Sequence, residues 1–267
     1  PLKRDRSVVS ALLAVSSLVV AVAQPTALTP VPRERATVVV TIDVSRSMRS
    51  QDVSPSRIEA AQLAAKEFVD MLPETFNVAL VTFSGTTSIM AAPTLDRGAV
   101  KRAIDSLELA PATAIGEGIY TSLDALLLAP PDPDHPDDPA PGAIILLSDG
   151  YTNIGRDSAT AAQAAKDQGV PVYTIAYGTP GGYVYEEGVR VPVPVNHAEL
   201  ARVAQISGGK KYAAESVSDL RGVYETLARS VGYDEMETEV TDRFALLALA
   251  LSVIAGLGVI SLAARWP

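Results

Sequence analysis

The chain has 267 residues, a formal net charge of −9, 48% hydrophobic residues, no cysteine and only two histidines, His135 and His197. That length accommodates one sizeable domain plus accessory segments. The acidic balance excludes a basic nucleic-acid footprint, so no nucleic acid is expected as a partner, and the missing thiols exclude disulfides, zinc thiolate centres and cysteine nucleophiles.

Residues 1–35 read as an N-terminal transmembrane helix, or a signal-like segment, followed by a linker. Residues 7–23 carry no charge, Lys3, Arg4 and Arg6 precede them, and Ala21-Val22-Ala23 has the small-residue character of a cleavage site. Both readings export the domain downstream of the segment. Lys3, Arg4, Arg6 and Arg265 on the cytoplasmic side, against Arg33, Arg35 and Arg243 on the other, give the same orientation. The expected location is therefore the cell membrane, with the domain between the apolar segments on the extracytoplasmic side.

From residue 36 to residue 231 the pattern becomes that of an α/β domain. Residues 37–42 (TVVVTI) form a continuous β-branched run, as in a strand buried on both faces. Residues 56–72 follow with apolar positions at helical spacing, Pro55 at their start and Pro73 after their end. Residues 77–83 and 86–90 read as a strand pair turning at Ser84-Gly85, and 96–107 and 116–128 as helices. Residues 130–141 (PPDPDHPDDPAP) form a stiff, solvated insert containing His135. Then come a strand at 143–147, a helix at 158–168 and a strand at 170–176. In residues 178–195 two short β-prone runs around Glu186-Glu187-Gly188 suggest a hairpin. Helices at 198–206 and 217–230 bracket a short strand at 211–213. Such alternation implies right-handed crossovers and a doubly wound, mostly parallel sheet, with ligands beyond the carboxyl ends of its strands.

An acidic linker at 232–243 (Glu235, Glu237, Glu239, Asp242) leads to residues 244–264, an uncharged run bounded by Arg243 and Arg265. A bilayer-spanning helix needs about 20 apolar residues, so this run is expected to be a second transmembrane helix flanking the domain.

Three loops carry the chemistry. The first strand ends in Asp43-Val44-Ser45-Arg46-Ser47, where alternate residues project to the same side and place one carboxylate beside two hydroxyls. Ser148-Asp149-Gly150 puts a second carboxylate at the end of another buried strand, with Gly150 permitting a tight exit. Thr113, in the loop before the 116–128 helix, adds a third hydroxyl. Two carboxylates and three hydroxyls make a hard, all-oxygen donor set suited to Mg²⁺ or Mn²⁺.

Asp-x-Ser-x-Ser, the loop threonine and the Asp-Gly after the next strand resemble the metal-ion-dependent adhesion site (MIDAS) of von Willebrand factor A (vWA) domains, over about residues 36–230. More narrowly, Val44–Arg49, Pro55-Ser56-Arg57, Thr113–Ile119, Val191–Val195 and Ile206–Gly209 resemble a bacterial membrane vWA family of the actinobacterial type, related to aerotolerance-type proteins. The resemblance assigns Ser45, Ser47 and Thr113 as metal ligands, with Asp43 and Asp149 binding directly or through water. It implies capture of a protein partner that offers an acidic residue to the metal, and a link to MoxR-type AAA+ ATPases in chaperone-like roles. No phosphate-binding loop, His-Glu-x-x-His or Gly-x-Ser-x-Gly is present. An enzyme is therefore not expected. The alternative, a metal-dependent hydrolase using the same ion, has Glu117 as its sole nearby general-base candidate.

Overall fold

The computed structural model describes residues 2–32, 35–131, 141–150 and 152–263. In chain order the elements are α1 (Leu2–Val22), β1 (Thr26–Pro32), β2 (Thr37–Asp43), a 3-10 turn (Arg46–Arg49), α2 (Arg57–Met71), β3 (Asn77–Phe83), β4 (Thr87–Thr94) and α3 (Arg97–Asp105). They continue with α4 (Ile115–Leu126), β5 (Gly142–Ser148), α5 (Ser158–Asp167), β6 (Val172–Tyr177), β7 (Tyr183–Glu186) and β8 (Val189–Pro192). The chain closes with α6 (His197–Ser207), β9 (Lys211–Ala214), α7 (Val217–Gly232), β10 (Tyr233–Glu239) and α8 (Thr241–Ala263). Two compact units result: Arg33–Gly232, and a second built from Pro1–Pro32 and Tyr233–Pro267.

The first unit is the expected α/β domain with a mostly parallel sheet. Its strands run in the order β4-β3-β2-β5-β6-β9, parallel except for the edge strand β4. β2 occupies the centre and is buried along its whole length, which its β-branched run requires. Its alternate residues feed two separate cores. Val38, Val40 and Ile42 pack with α2, α3 and α7, whereas Val39 packs with α4, α5 and α6. On the second face Thr41 meets Ser122 at 2.7 Å, so this buried hydroxyl is satisfied. β4 extends beyond the expected 86–90 because its pairing with β3 continues through two register shifts as far as Thr94. The 178–195 stretch contains the hairpin β7–β8. Residues 132–140, including His135, lie outside the described residues.

The second unit differs from its sequence reading. β1 and β10, from stretches read as linkers, form an antiparallel pair running from Thr26↔Glu239 to Pro32↔Tyr233. Once the two chain ends meet, their backbone amides and carbonyls satisfy each other. α1 packs against α8. No helix among the described residues is long and apolar enough to cross a membrane, so the two expected spans are unsupported by the helices themselves. The uncharged run at 244–264 continues past the last described residue. The pair buries Ala14, Ala21, Ala248 and Ala255, while Leu12, Val15, Val19, Leu246, Leu249 and Val253 are exposed.

Phe68 anchors the α2 side of the domain core, fully buried and stacked on Tyr224 of α7 with ring centroids 4.7 Å apart. Phe68→Ala is expected to cost about 3–5 kcal/mol through lost transfer energy and a residual cavity. Chemical denaturation followed by circular dichroism measures this; a loss under about 1 kcal/mol would show that the site collapses to fill the gap.

Candidate metal centre

β2 ends at Asp43, and the chain leaves the carboxyl edge of the sheet through Ser45 into the turn Arg46–Arg49. The Ser45 N–H donates to Asp43 Oδ1 at 2.8 Å, a side-chain turn that fixes the carboxylate as the strand exits. The Ser148 hydroxyl, at the end of neighbouring β5, donates to Asp43 Oδ2, and Ser148 Oγ accepts the Gly150 N–H at 2.8 Å. The hydroxyls of Ser45 and Ser47 face each other at 2.8 Å.

The other two loops are stitched to this one through the backbone. Ala110 N–H donates to Val44 O at 2.8 Å, which brings residues 110–114 beside the first loop. The Thr113 N–H donates to Asn153 Oδ1 at 2.9 Å and Thr113 O accepts the Asn153 N–H at 3.0 Å, joining the second loop to the segment after Asp149. Asn196 N–H donates to Asp149 O at 2.6 Å. Ala112, immediately before Thr113, has φ +67°, a left-handed conformation that a residue with a Cβ adopts only under constraint and that is concentrated at functional sites.

Ser45, Ser47, Thr113 and Asp149 line a single recess of about 480 Å³, together with Asn153, Glu186, Pro192, Val193 and Pro194. Asp43 does not line it; it is fully buried, behind Ser45 and Ser148. His197 opens α6 and takes no part in the recess. Among the described residues no group of three or more His, Asp or Glu side chains is placed to hold a metal, so any cation here relies on hydroxyls as well as carboxylates. Burial, reinforced by the nearby charge of Asp149, raises the Asp43 carboxyl from 3.8 to about 7, although hydrogen bonds from Ser148 and Ser45 pull the other way. Two buried carboxylates flanked by neutral hydroxyls are the donor chemistry a hard divalent cation fits.

Sequence reasoning gave no role to Asp52, and met Arg57 only within the family-like segment Pro55-Ser56-Arg57. Arg57 is fully buried in the first turn of α2, with Nη1 3.3 Å from Asp149 Oδ2 and a two-point pair to Asp52. The signal was present: Arg57 stands four residues before Ala61 and eight before Ala65, on the helix face that packs into the core. Burial opposes ionisation of Asp52, but the Arg57 guanidinium and Thr179 outweigh it and hold the carboxyl below the usual range. Glu117 does not line the recess. It accepts three hydrogen bonds from Arg156, at 3.0, 2.9 and 2.5 Å, which push its carboxyl down to about 2.

Residues 38–152 match the von Willebrand factor type A domain. A UPF0353 protein of Mycobacterium sp. (strain KMS) is 44% identical over 259 residues, covering 92% of this chain and 77% of that protein. The chain belongs to the UPF0353 family. The same fold as this UPF0353 domain occurs in an aerotolerance-related membrane protein of Bacteroides fragilis, with TM-score 0.64, 22% identity, and coverage of 73% of this chain and 98% of that one. Proximal thread matrix protein 1 of the mussel byssus also shares it, with TM-score 0.58, 18% identity, and coverage of 79% of this chain and 50% of that one; its structure has a zinc-occupied MIDAS motif.

The raised Asp43 carboxyl bears on stability. The folded state binds this proton more tightly than the unfolded chain, so the contribution is complete below about pH 4, the unfolded value, and is lost as pH rises to about 7. In EDTA, the stability of the wild type relative to Asp43→Asn should therefore decline across that window. Parallel thermal melts of the two proteins measure the difference, and a gap that stays constant with pH refutes the assignment.

Proposed function

We propose that this UPF0353 protein is a membrane-anchored binding module whose vWA domain captures an acidic residue of a protein partner through a Mg²⁺ or Mn²⁺ ion. The observation that carries the proposal is the convergence of Ser45, Ser47, Thr113 and Asp149 on one recess, with Asp43 buried next to it. In this reading Ser45, Ser47 and Thr113 are direct ligands, and Asp43 and Asp149 bind directly or through water. A bound divalent cation supplies a Lewis-acidic position that a carboxylate from outside can complete. The neutral hydroxyls leave that position electrophilic, and the two acids balance the charge of the ion. Selectivity for the partner falls to the wall formed by β7–β8, where Tyr185 and Val189 are exposed and Arg190 lies 3.8 Å above the Tyr183 ring.

Hydrolysis by the same ion is the alternative, and it needs a general base beside the metal. Glu117, held at about 2 by Arg156 and outside the recess, is poorly suited to accept a proton. The membrane-anchored part of the reading rests on side-chain placement and not on a complete span: α1 and α8 turn leucine and valine outward and bury alanine. That arrangement suits lipid rather than water, because small residues let membrane helices approach closely. The basic residues around the two apolar segments favour an extracytoplasmic domain. The resemblance to aerotolerance-type proteins extends the proposal to cooperation with a MoxR-type AAA+ ATPase. ATP is cytoplasmic, so such an ATPase and an exported domain communicate only through α1, α8 or a further subunit.

Calorimetric titration of the full chain in detergent should show one Mg²⁺ site that Asp43→Ala abolishes without altering the circular dichroism spectrum, and that Thr113→Ala weakens by at least about tenfold. Undiminished binding in both variants removes the assignment. Partners co-purified from native membranes should be lost alike with EDTA and with Thr113→Ala; partners retained at full strength without metal would leave the site a structural one. Orientation has its own test. Protease added to intact spheroplasts should digest the domain, and digestion only after permeabilisation reverses the topology.

A further inference from the structure

The hairpin β7–β8 walls the recess, yet its own ladder is short: four residue pairs, from Tyr183↔Pro192 to Glu186↔Val189. What holds it lies at its base. Before β7, the Thr179 N–H and hydroxyl both donate to Asp52 Oδ2, at 2.7 and 2.8 Å. At its first residue the Ser50 hydroxyl donates to Tyr183 O at 2.9 Å and accepts the Tyr183 N–H at 3.2 Å. After β8, Val193 O accepts from Arg57 Nη2 at 3.0 Å. The same guanidinium pairs with Asp52 through Nε and Nη2, at 2.8 and 2.7 Å, and its remaining nitrogen, Nη1, reaches Asp149 Oδ2 at 3.3 Å. The approach is close enough that a Cβ at Gly178 or Gly182 would collide with it.

We infer that Arg57 is a positioning residue coupling the Asp149 carboxylate to the seat of the hairpin, so that a cation in the recess sets how firmly the partner-facing wall is held. This rests on the reading of Asp149 as a metal carboxylate. A guanidinium presents its donors at fixed angles in one plane, so it cannot shift toward Asp149 without disturbing its bonds to Asp52 and Val193. When Asp149 shares its negative charge with a cation, it pulls less on Nη1, and the plane settles onto Asp52 and Val193. The hairpin base then tightens. By linkage, a firmly seated hairpin also tightens the hold on the ion by the same factor. The wall that selects the partner is thereby fully formed only when the metal that captures it is in place.

Hydrogen–deuterium exchange of the full chain in detergent, with Mg²⁺ alone as the probe, tests this. Saturating Mg²⁺ should slow exchange in β7 and β8 by at least about fivefold in the wild type, the lower range of ordinary coupling between sites. Arg57→Lys keeps the charge but loses the planar fork. Its ratio should fall to about one, while its calorimetric Mg²⁺ affinity drops by no more than the lost coupling factor. Ser50→Ala cuts a tie that bypasses Arg57, so it should loosen the hairpin equally with and without Mg²⁺ and keep the wild-type ratio. A merely structural role for Arg57 would behave like Ser50→Ala. Mg²⁺ bound by the wild type without a change in hairpin exchange overturns the inference, as does an undiminished ratio in Arg57→Lys. Absence of calorimetric Mg²⁺ binding to the wild type instead overturns the metal-centre reading and takes the inference with it. If Arg57→Lys does not fold, the wild-type comparison stands, and Thr179→Ala replaces it with a ratio expected below that of Ser50→Ala.

Discussion

Two carboxylates, Asp43 and Asp149, sit almost wholly buried at the same end of a parallel sheet, and the surrounding loops answer to the cost of placing them there. Removing an anion from water is expensive unless hydrogen bonds or an opposite charge compensate. Asp43 receives a backbone N–H from Ser45 and a hydroxyl from Ser148, and Asp149 faces Arg57. Those contacts leave Asp43 well above the ordinary carboxylate range, so a positive charge is still wanted, whether a proton or a cation. The backbone ties between residues 44 and 110, 113 and 153, and 149 and 196 keep the three loops together around that demand, and the φ of +67° at Ala112 is sustained by the same stitching.

Arg57 extends this electrostatic problem into a mechanical one. A buried ion pair adds little net stability because desolvation offsets attraction, but breaking one leaves an uncompensated charge and is costly. Arg57 therefore fixes geometry more than it strengthens the fold. Its plane meets Asp52, Asp149 and Val193 from three different chain segments, so the hairpin and the acidic loop share one anchor. The recess acquires a wall from a two-stranded unit that would be marginal by itself.

The terminal unit packs through small residues. A water-facing helical hairpin buries its largest apolar side chains, but α1 and α8 bury Ala14, Ala21, Ala248 and Ala255 and expose leucine and valine. On the proposed membrane-anchored reading, outward leucine carries no penalty and close backbone approach becomes the source of attraction. The antiparallel β1–β10 pair closes the same unit at the ends of the two helices.

The sequence by itself determined the α/β class, the central strand and the three loops that gather at the sheet edge. Each of these follows from local rules: a β-branched run such as 37–42 suits only a strand covered on both faces, and residues leaving a strand alternate in direction, which set Asp43, Ser45 and Ser47 at the sheet edge. The hairpin was legible for the same reason, as two β-prone runs around Glu186-Glu187-Gly188. Tertiary structure decided what depends on partners far along the chain. Helical spacing sets Arg57 on the core-facing side of α2, but its partners are undefined until Asp149, 92 positions later, and Val193 are brought to it. Glu117 reads as an available base until Arg156 covers it. The stretches at 26–32 and 233–239 read as linkers because neither carries a strand pattern of its own; only the return of the chain end supplies a hydrogen-bonding partner for each. Period and local turn chemistry are written in neighbouring residues, whereas the pairing of buried charges and unpaired strands is fixed by contacts between segments that only the fold brings together.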